Sequence, residues 1–467
     1  MFRKKTPTEA PTLWIATGDL PTTPATSFYA KLDRVLAERR FGDAVRRLCA
    51  PHYEMDAHKG GRPGIDPEVY VKMLMVGFFE NLASERAIAA RCADSLAIRA
   101  FLHYELTETT PHHSSFTVIR QRLPLEVYEQ IFDLLLAALA EAKLLRGKHL
   151  AIDTSVLEAN ASLRSLTHRL TGEKYRQYVK RLAKDAGVDT SDPRAVSAFD
   201  RTRKGRKTSN TEWQNPHDPD AKVGPDKKGV TRMIYKPEHV VDLETGALLD
   251  VDLKPGDEPD GEDVATKVRE AEERVNEATG EPPGVARVRT VVGDLAYCVL
   301  EALVALHAAR IRTAIPDPVR NRNMAKLTDD ERHALAAAQR TLRSRSGRWL
   351  MRHRGEFAER SFVHVLDYGG ARRTTLRGRE NILKRYLMQA TCLNLSILLR
   401  HLTGIGTLKQ TWAAPTSGID RLATAVSSLL HAVDRRLSSI WGSPISLRPL
   451  SPRICVPDLN LLTSTVC

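Results

Sequence analysis

The apolar pattern of this chain changes period once, at Lys148, and that change limits the folds open to it. Up to that point apolar residues recur at helical spacing. Beyond it come short apolar runs of strand length: HLAID, EHVVDL, ALLDVDL, ARVRTVVGD and IRTAIPDP, with charged or amphipathic helical segments between most of them. EHVVDL and ALLDVDL flank Glu244-Thr245-Gly246 and read as a hairpin with a glycine-containing turn. The order is strand, hairpin, helix, strand, helix, strand, helix. It requires an α/β fold in which a mixed sheet carries helices on its faces. An all-helical region precedes it.

Residues 1–26 read as an irregular lead-in rich in Pro and Thr, and residues 27–147 as a helical domain. Asp66-Pro67 and Ser84 mark helix starts, because Asp and Ser cap and Pro suits the first helical position. A further capped, basic helix is expected at SSFTVIRQRL, and a long one at LPLEVYEQIFDLLLAALAEAKLL. Helices joined by such tight turns resemble helix-turn-helix DNA-binding units, and an ordinary helical bundle fits the spacing equally. The sheet-bearing domain spans 148–403, with a polar, basic insertion at about 155–232 in which one helix is expected, the rest being loop. Residues 404–467 form a Pro- and Ser-punctuated tail with one amphipathic helix near IDRLATAVSSLLHAV.

Seventy Lys and Arg against 57 Asp and Glu give a formal charge of +13. Such a balance favours a polyanionic partner, most often nucleic acid, since neutralised phosphates release counterions. No apolar stretch is long enough for a transmembrane helix, and the basic start MFRKK leads into no export signal. Six scattered cysteines without a C-x-x-C pair exclude zinc ribbons and disulfide frameworks and fit a reducing compartment. A cytoplasmic, nucleoid-associated protein is expected.

Within this frame three acids stand out. Asp153 ends HLAID, Asp294 ends RVRTVVGD, and Glu359 lies on a basic helix downstream. Carboxylates at strand ends project into the crevice where α/β sheets gather ligands. Mg²⁺ prefers oxygen donors and needs only one or two carboxylates per ion. Two ions about 3.5–4 Å apart clamp the attacking and leaving oxygens of a phosphodiester. Equally, an acid at a strand end serves as a turn or helix cap, a reading open for Asp153 before Thr154 and Ser155. His217, Asp218 and Asp220 in NPHDPDA are a compact cluster that reads as a metal site or, with Pro216 and Pro219, as a rigid turn. His239 and Asp242 in the hairpin are within reach of the site or are plain strand polarity.

The ordered set of motifs resembles the DDE transposases of bacterial insertion sequences, in the branch with an N-terminal helical domain. It comprises GRPGIDPEVYVKMLMVGFF, TPHHSSFTVIRQRL, AIDTSVLEANASLRS, NPHDPDAKV, EHVVDLETGALLDV, VVGDLAY, IRTAIPDP and ERSFVHVLDYGGARRTTLRGRENILKR, closed by NL and GIGT, across about residues 60–412. The resemblance implies an RNase H-like core whose catalytic and metal-holding acids are Asp153, Asp294 and Glu359, with two Mg²⁺ or Mn²⁺ ions. It implies binding to terminal inverted repeats, hydrolytic nicking at the element ends and attack of the freed 3′-hydroxyl on target DNA by a homodimer bridging two ends. Arg120, Arg122, Arg352, Arg354, Lys384 and Arg385 are the candidate DNA contacts. The superfamily's Tyr-Arg-Glu-Lys signature is incomplete here, for its Arg and Lys positions hold Gly355 and Leu366. Glu356 and Glu380 are therefore alternative third acids. A catalytically inactive DNA-binding remnant and an RNase H-like nuclease without strand transfer are the other functional readings.

Overall fold

The computed structural model describes residues 27–54, 64–204, 210–226, 228–282, 284–319, 322–408 and 410. The expected irregular lead-in and the expected tail helix lie outside these residues. Among the described residues seven helices come first: α1 (Phe28–Glu38), α2 (Phe41–Glu54), α3 (Pro67–Phe79), α4 (Glu85–Asp94), α5 (Leu96–Phe101), α6 (Ser114–Arg122) and α7 (Leu125–Glu141). The side chain of Asp66 accepts from the Glu68 N–H at the start of α3, and Ser84 accepts from the Ala87 N–H at the start of α4. Both caps are where the sequence puts them. The cap expected on α6 is not made: His113 holds that position without a side-chain bond to the helix.

The sheet begins with β1 (His149–Thr154), followed by β2 (Leu157–Glu158) and the small hairpin of β3 (Thr167–His168) and β4 (Trp213–Gln214). Between β3 and β4 lie α8 (Tyr175–Asp185) and α9 (Pro193–Thr202). Only α8 is expected from sequence. The α9 segment carries Ala195, Val196, Ala198 and Phe199, and Asp192-Pro193 starts it as Asp66-Pro67 starts α3, with Asp192 accepting from the Arg194 N–H. β5 (Lys222–Pro225), β6 (Thr231–Asp242) and β7 (Leu248–Pro255) follow. β6 is longer than EHVVDL and begins inside the expected insertion, and β5 gains its strand form by pairing with that extension. Gly246 takes φ 78° in the β6–β7 turn, where a Cβ would stand 2.9 Å from the Phe357 ring.

α10 (Val264–Thr279), β8 (Thr290–Val292), α11 (Leu300–Ala308), β9 (Arg312–Ala314), α12 (Asp329–Arg343), α13 (Arg345–Phe362) and α14 (Arg379–Thr403) complete the order. The main sheet runs β7-β6-β1-β8-β9, with β6 antiparallel to β7 and β1, and β1, β8 and β9 mutually parallel. This is a mixed, RNase H-like sheet. β1 is central, so Leu150, Ala151 and Ile152 are fully buried and its apolar run is continuous rather than alternating. α14 is buried nearly all round and packs on α3, α7 and β7, which seats the N-terminal helices against the sheet within one compact unit. Among the described residues no helix is long and apolar enough to cross a membrane.

Candidate active site

Parallel pairing of β1 with β8 sets Ala151 opposite Val292. Asp153 lies two residues beyond Ala151 and Asp294 two beyond Val292, so both acids emerge at the same level of adjacent strands. Each carboxylate has one oxygen tied to backbone. Asp153 Oδ1 accepts from the Thr154 N–H at 3.0 Å, and Asp294 Oδ1 accepts from the Ala296 N–H at 2.9 Å, capping a short 3₁₀ turn. Capping and site geometry are thus the same contact for Asp294. The second oxygens face a common point: Arg354 Nη2 lies 3.6 Å from Asp153 Oδ2 and 3.7 Å from Asp294 Oδ2. Arg354 comes from α13, its side chain is 14% exposed, and its Nε is buried without a hydrogen bond.

The helix that delivers Arg354 is fixed by His239, the cross-strand partner of Asp153. His239 is completely buried and stacks on Phe362 with centroids 4.0 Å apart. Ser361 Oγ donates to the Ala358 carbonyl, so it accepts from His239 Nδ1–H at 2.8 Å, and Nε2 accepts from the Tyr386 hydroxyl at 2.7 Å. Burial lowers the pKa of this imidazole to about 3, so it is neutral. His239 therefore positions α13 and α14 over the strand ends. Asp242 does not approach the site; it accepts from the N–H groups of Arg146, Gly147 and Glu244 at the far end of β6.

Glu359 stands on α13 five residues past Arg354, about 140° further round the helix, and is exposed. Glu356 is also exposed and pairs with Arg360 at 2.5 Å, and Glu380 pairs with Lys384 at 2.6 Å at the start of α14. Two of the three expected acids are brought together, and the third faces away. Among the described residues no group of three His, Cys, Asp or Glu side chains converges as a metal cage. Directly after α13 the chain winds into a π-helix, Val363–Tyr368.

Of the candidate DNA contacts, Arg354 lies against both aspartates. Arg352 is exposed one turn of α13 away from Glu356, and Arg122 lies over the Tyr53 ring at 4.6 Å. Arg120 and Lys384 are buried: Arg120 pairs with Glu85 and donates to Asn381 Oδ1, and Lys384 donates to the Arg120 carbonyl. Arg385 donates to the Leu82 carbonyl. These three bridge the N-terminal helices and α14. NPHDPDA folds as the turn rather than as a metal site. Asp218 Oδ1 accepts from the Tyr235 hydroxyl at 2.7 Å and the Gly378 N–H at 3.1 Å, and Asp220 accepts from the Arg379 N–H.

Sequence reasoning passes over a second buried group beside the site. Glu238, opposite Thr154, accepts from Lys254 Nζ and from the Tyr297 hydroxyl, each at 3.0 Å. Burial raises its pKa to about 7 against the lowering effect of Lys254. Burial first, and then the charges of Glu238 and Asp153, hold the Tyr297 phenol well above its usual range. A charged residue in the strand KPEHVV was the available signal.

Two matched families meet at this geometry. Residues 21–122 match the Transposase domain (DUF772), and residues 192–395 match the Transposase DDE domain. The chain belongs to the DDE transposases. A search of curated proteins finds no match. Transposases of this family act on DNA and generally use divalent metal ions. The two converging carboxylates suit such an ion: their Oδ2 atoms already share one cationic nitrogen, and hard oxygen donors are what Mg²⁺ takes.

Proposed function

We propose that this transposase binds the terminal inverted repeats of an insertion sequence, nicks the element ends by hydrolysis and joins the freed 3′-hydroxyl to target DNA. The convergence of Asp153 Oδ2 and Asp294 Oδ2 on one cation carries the reading. In the first step a water oxygen bonds to the scissile phosphorus and the bond from phosphorus to the 3′-oxygen breaks. The water loses a proton to solvent and the departing 3′-oxygen gains one. In the second step that 3′-oxygen bonds to a target phosphorus, displacing the target's own 3′-oxygen. Mg²⁺ or Mn²⁺, when bound, supplies stabilisation of charge on the attacking and leaving oxygens.

Asp153 and Asp294 would hold the ion or ions, their outer oxygens fixed by backbone N–H groups. Arg354, now between the two carboxylates, would on turning toward the substrate be a partner for the scissile phosphate. Glu359, by the family resemblance, is the proposed third acid; reaching the pair requires α13 to turn, and the adjoining π-helix is the segment in which a helix changes register. Two end-bound copies would form the working dimer. Labelled end DNA with the purified protein and Mg²⁺ tests the reading. Nicks followed by joined products support it. Nicks that never join identify a nuclease, and binding without nicks identifies an inactive remnant; either result overturns it.

A further inference from the structure

Beyond Asp153 the chain stays laid along β6. The Ser155 N–H donates to the Pro237 carbonyl, and β2 pairs Leu157 with Tyr235 and Glu158 with Ile234. Glu158 is five residues from Asp153, within about 17 Å at about 3.4 Å per residue. There a cleft of about 460 Å³ opens. Arg164, Arg232, Arg373 and Arg377 line it along with His217, and Glu158 is the one acid among its lining residues. Glu158 lies 3.3 Å from Arg232 and 3.6 Å from Arg373, so the wall keeps a cationic excess. Arg164, Arg373 and Arg377 are exposed.

The cleft is built rather than incidental. Asn215 and Asp218 beneath it are fully buried. Asn215 Nδ2 donates to the Ser162 carbonyl at 3.0 Å and to Ser165 Oγ at 2.8 Å, fixing the turn that carries Arg164. Asp218 ties Tyr235 of β6 to Gly378, next to Arg377. One buried polar clip thus sets the spacing of three segments that bear arginines.

We infer that this cleft seats the sugar-phosphate backbone of the DNA strand running from the Asp153–Asp294 pair, within about five nucleotides of the scissile phosphate at about 3.4 Å per nucleotide. Its volume suits one nucleotide unit and is far too small for a duplex. Arginine forks match phosphate oxygens, and no Phe, Tyr or Trp lines the cleft to read a base by stacking. The inference rests on the transposase reading above and adds a site to it.

The test uses the full chain, a labelled duplex of the element's terminal repeat, and Arg164→Gln/Arg373→Gln. Arg194→Gln/Arg201→Gln on the exposed side of α9 is the control, and melting temperature confirms folding. Binding is measured against NaCl concentration. The cleft variant should lower the slope of log K on log salt by about 2, since each lost phosphate contact removes about 0.9. Ethylation interference should disappear at phosphates within about five nucleotides of the cut, and the control should change neither. An unchanged slope with wild-type binding intact overturns the cleft while leaving the transposase reading standing. Saturable calorimetric binding of inorganic phosphate with an unchanged DNA slope assigns the arginines to free phosphate instead and also overturns it. If wild-type protein shows no preference for the terminal repeat, the transposase reading itself has failed.

Discussion

Replacing Arg354 by Gln removes the cation that lies between Asp153 and Asp294, while keeping a side chain of similar length. At 3.6 and 3.7 Å, each ion pair is worth about 4.5 kcal/mol at an effective dielectric of about 20, as an upper figure. Solvent screening cuts this, above all at Asp294, whose side chain is 45% exposed; pairs in water fall to about 0–1 kcal/mol. A net competition of about 1–2 kcal/mol between Arg354 and a divalent ion follows. Arg354→Gln should therefore bind Mn²⁺ about 5–30-fold more tightly than wild type in the absence of DNA. Arg354→Lys, retaining the charge, should fall between them. Calorimetric titration of metal-free protein reads the constants, with Asp153→Asn/Asp294→Asn as the background. Equal or weaker Mn²⁺ binding by Arg354→Gln would refute the idea that arginine and metal compete for the same oxygens.

Three further outcomes follow from the same geometry. His239 is neutral when folded, with its pKa lowered to about 3, so the unfolded chain takes up a proton first as acid is added. The stability it contributes is complete above about pH 6.5 and lost as pH falls toward 3, by a few kcal/mol at most on the order of 1.4 per unit; chemical denaturation of wild type and His239→Gln across pH 4–8 should converge at the acid end. Gly246→Ala places a Cβ against Phe357 at positive φ and should destabilise by about 1–3 kcal/mol in urea melts. Glu359→Gln should abolish nicking with DNA binding retained, whereas Glu356→Gln and Glu380→Gln should leave nicking within about threefold of wild type; gel assays on labelled end DNA separate the three.

Much of this arrangement is legible in the chain. Residues 150–152 and 291–292 are continuous apolar runs because both strands are buried on both faces, and Asp153 and Asp294 are the first charged positions after them. Asp66-Pro67 and Ser84 announce helices by capping chemistry that is local. What is hidden depends on tertiary partners. β5 is a strand only because the extension of β6 supplies its hydrogen bonds, and KVGP carries no strand pattern of its own. Arg120 and Lys384 look like surface cations in basic helices, and their burial follows from how α6 meets α14, two elements far apart in sequence. The face that Glu359 presents is set by the angular position of α13, which His239 and Ser361 fix through contacts that no local pattern encodes.

On the proposed reading, Asp153 and Asp294 form one carboxylate pair for phosphodiester chemistry. Its most direct test is the single variants Asp153→Asn and Asp294→Asn on labelled end DNA, with nicking, joining and binding measured together in Mg²⁺ and Mn²⁺. Each variant should lose nicking and joining by at least about 1,000-fold while binding the end DNA within about threefold of wild type. Joining that survives either substitution at more than about a tenth of the wild-type rate would contradict the assignment.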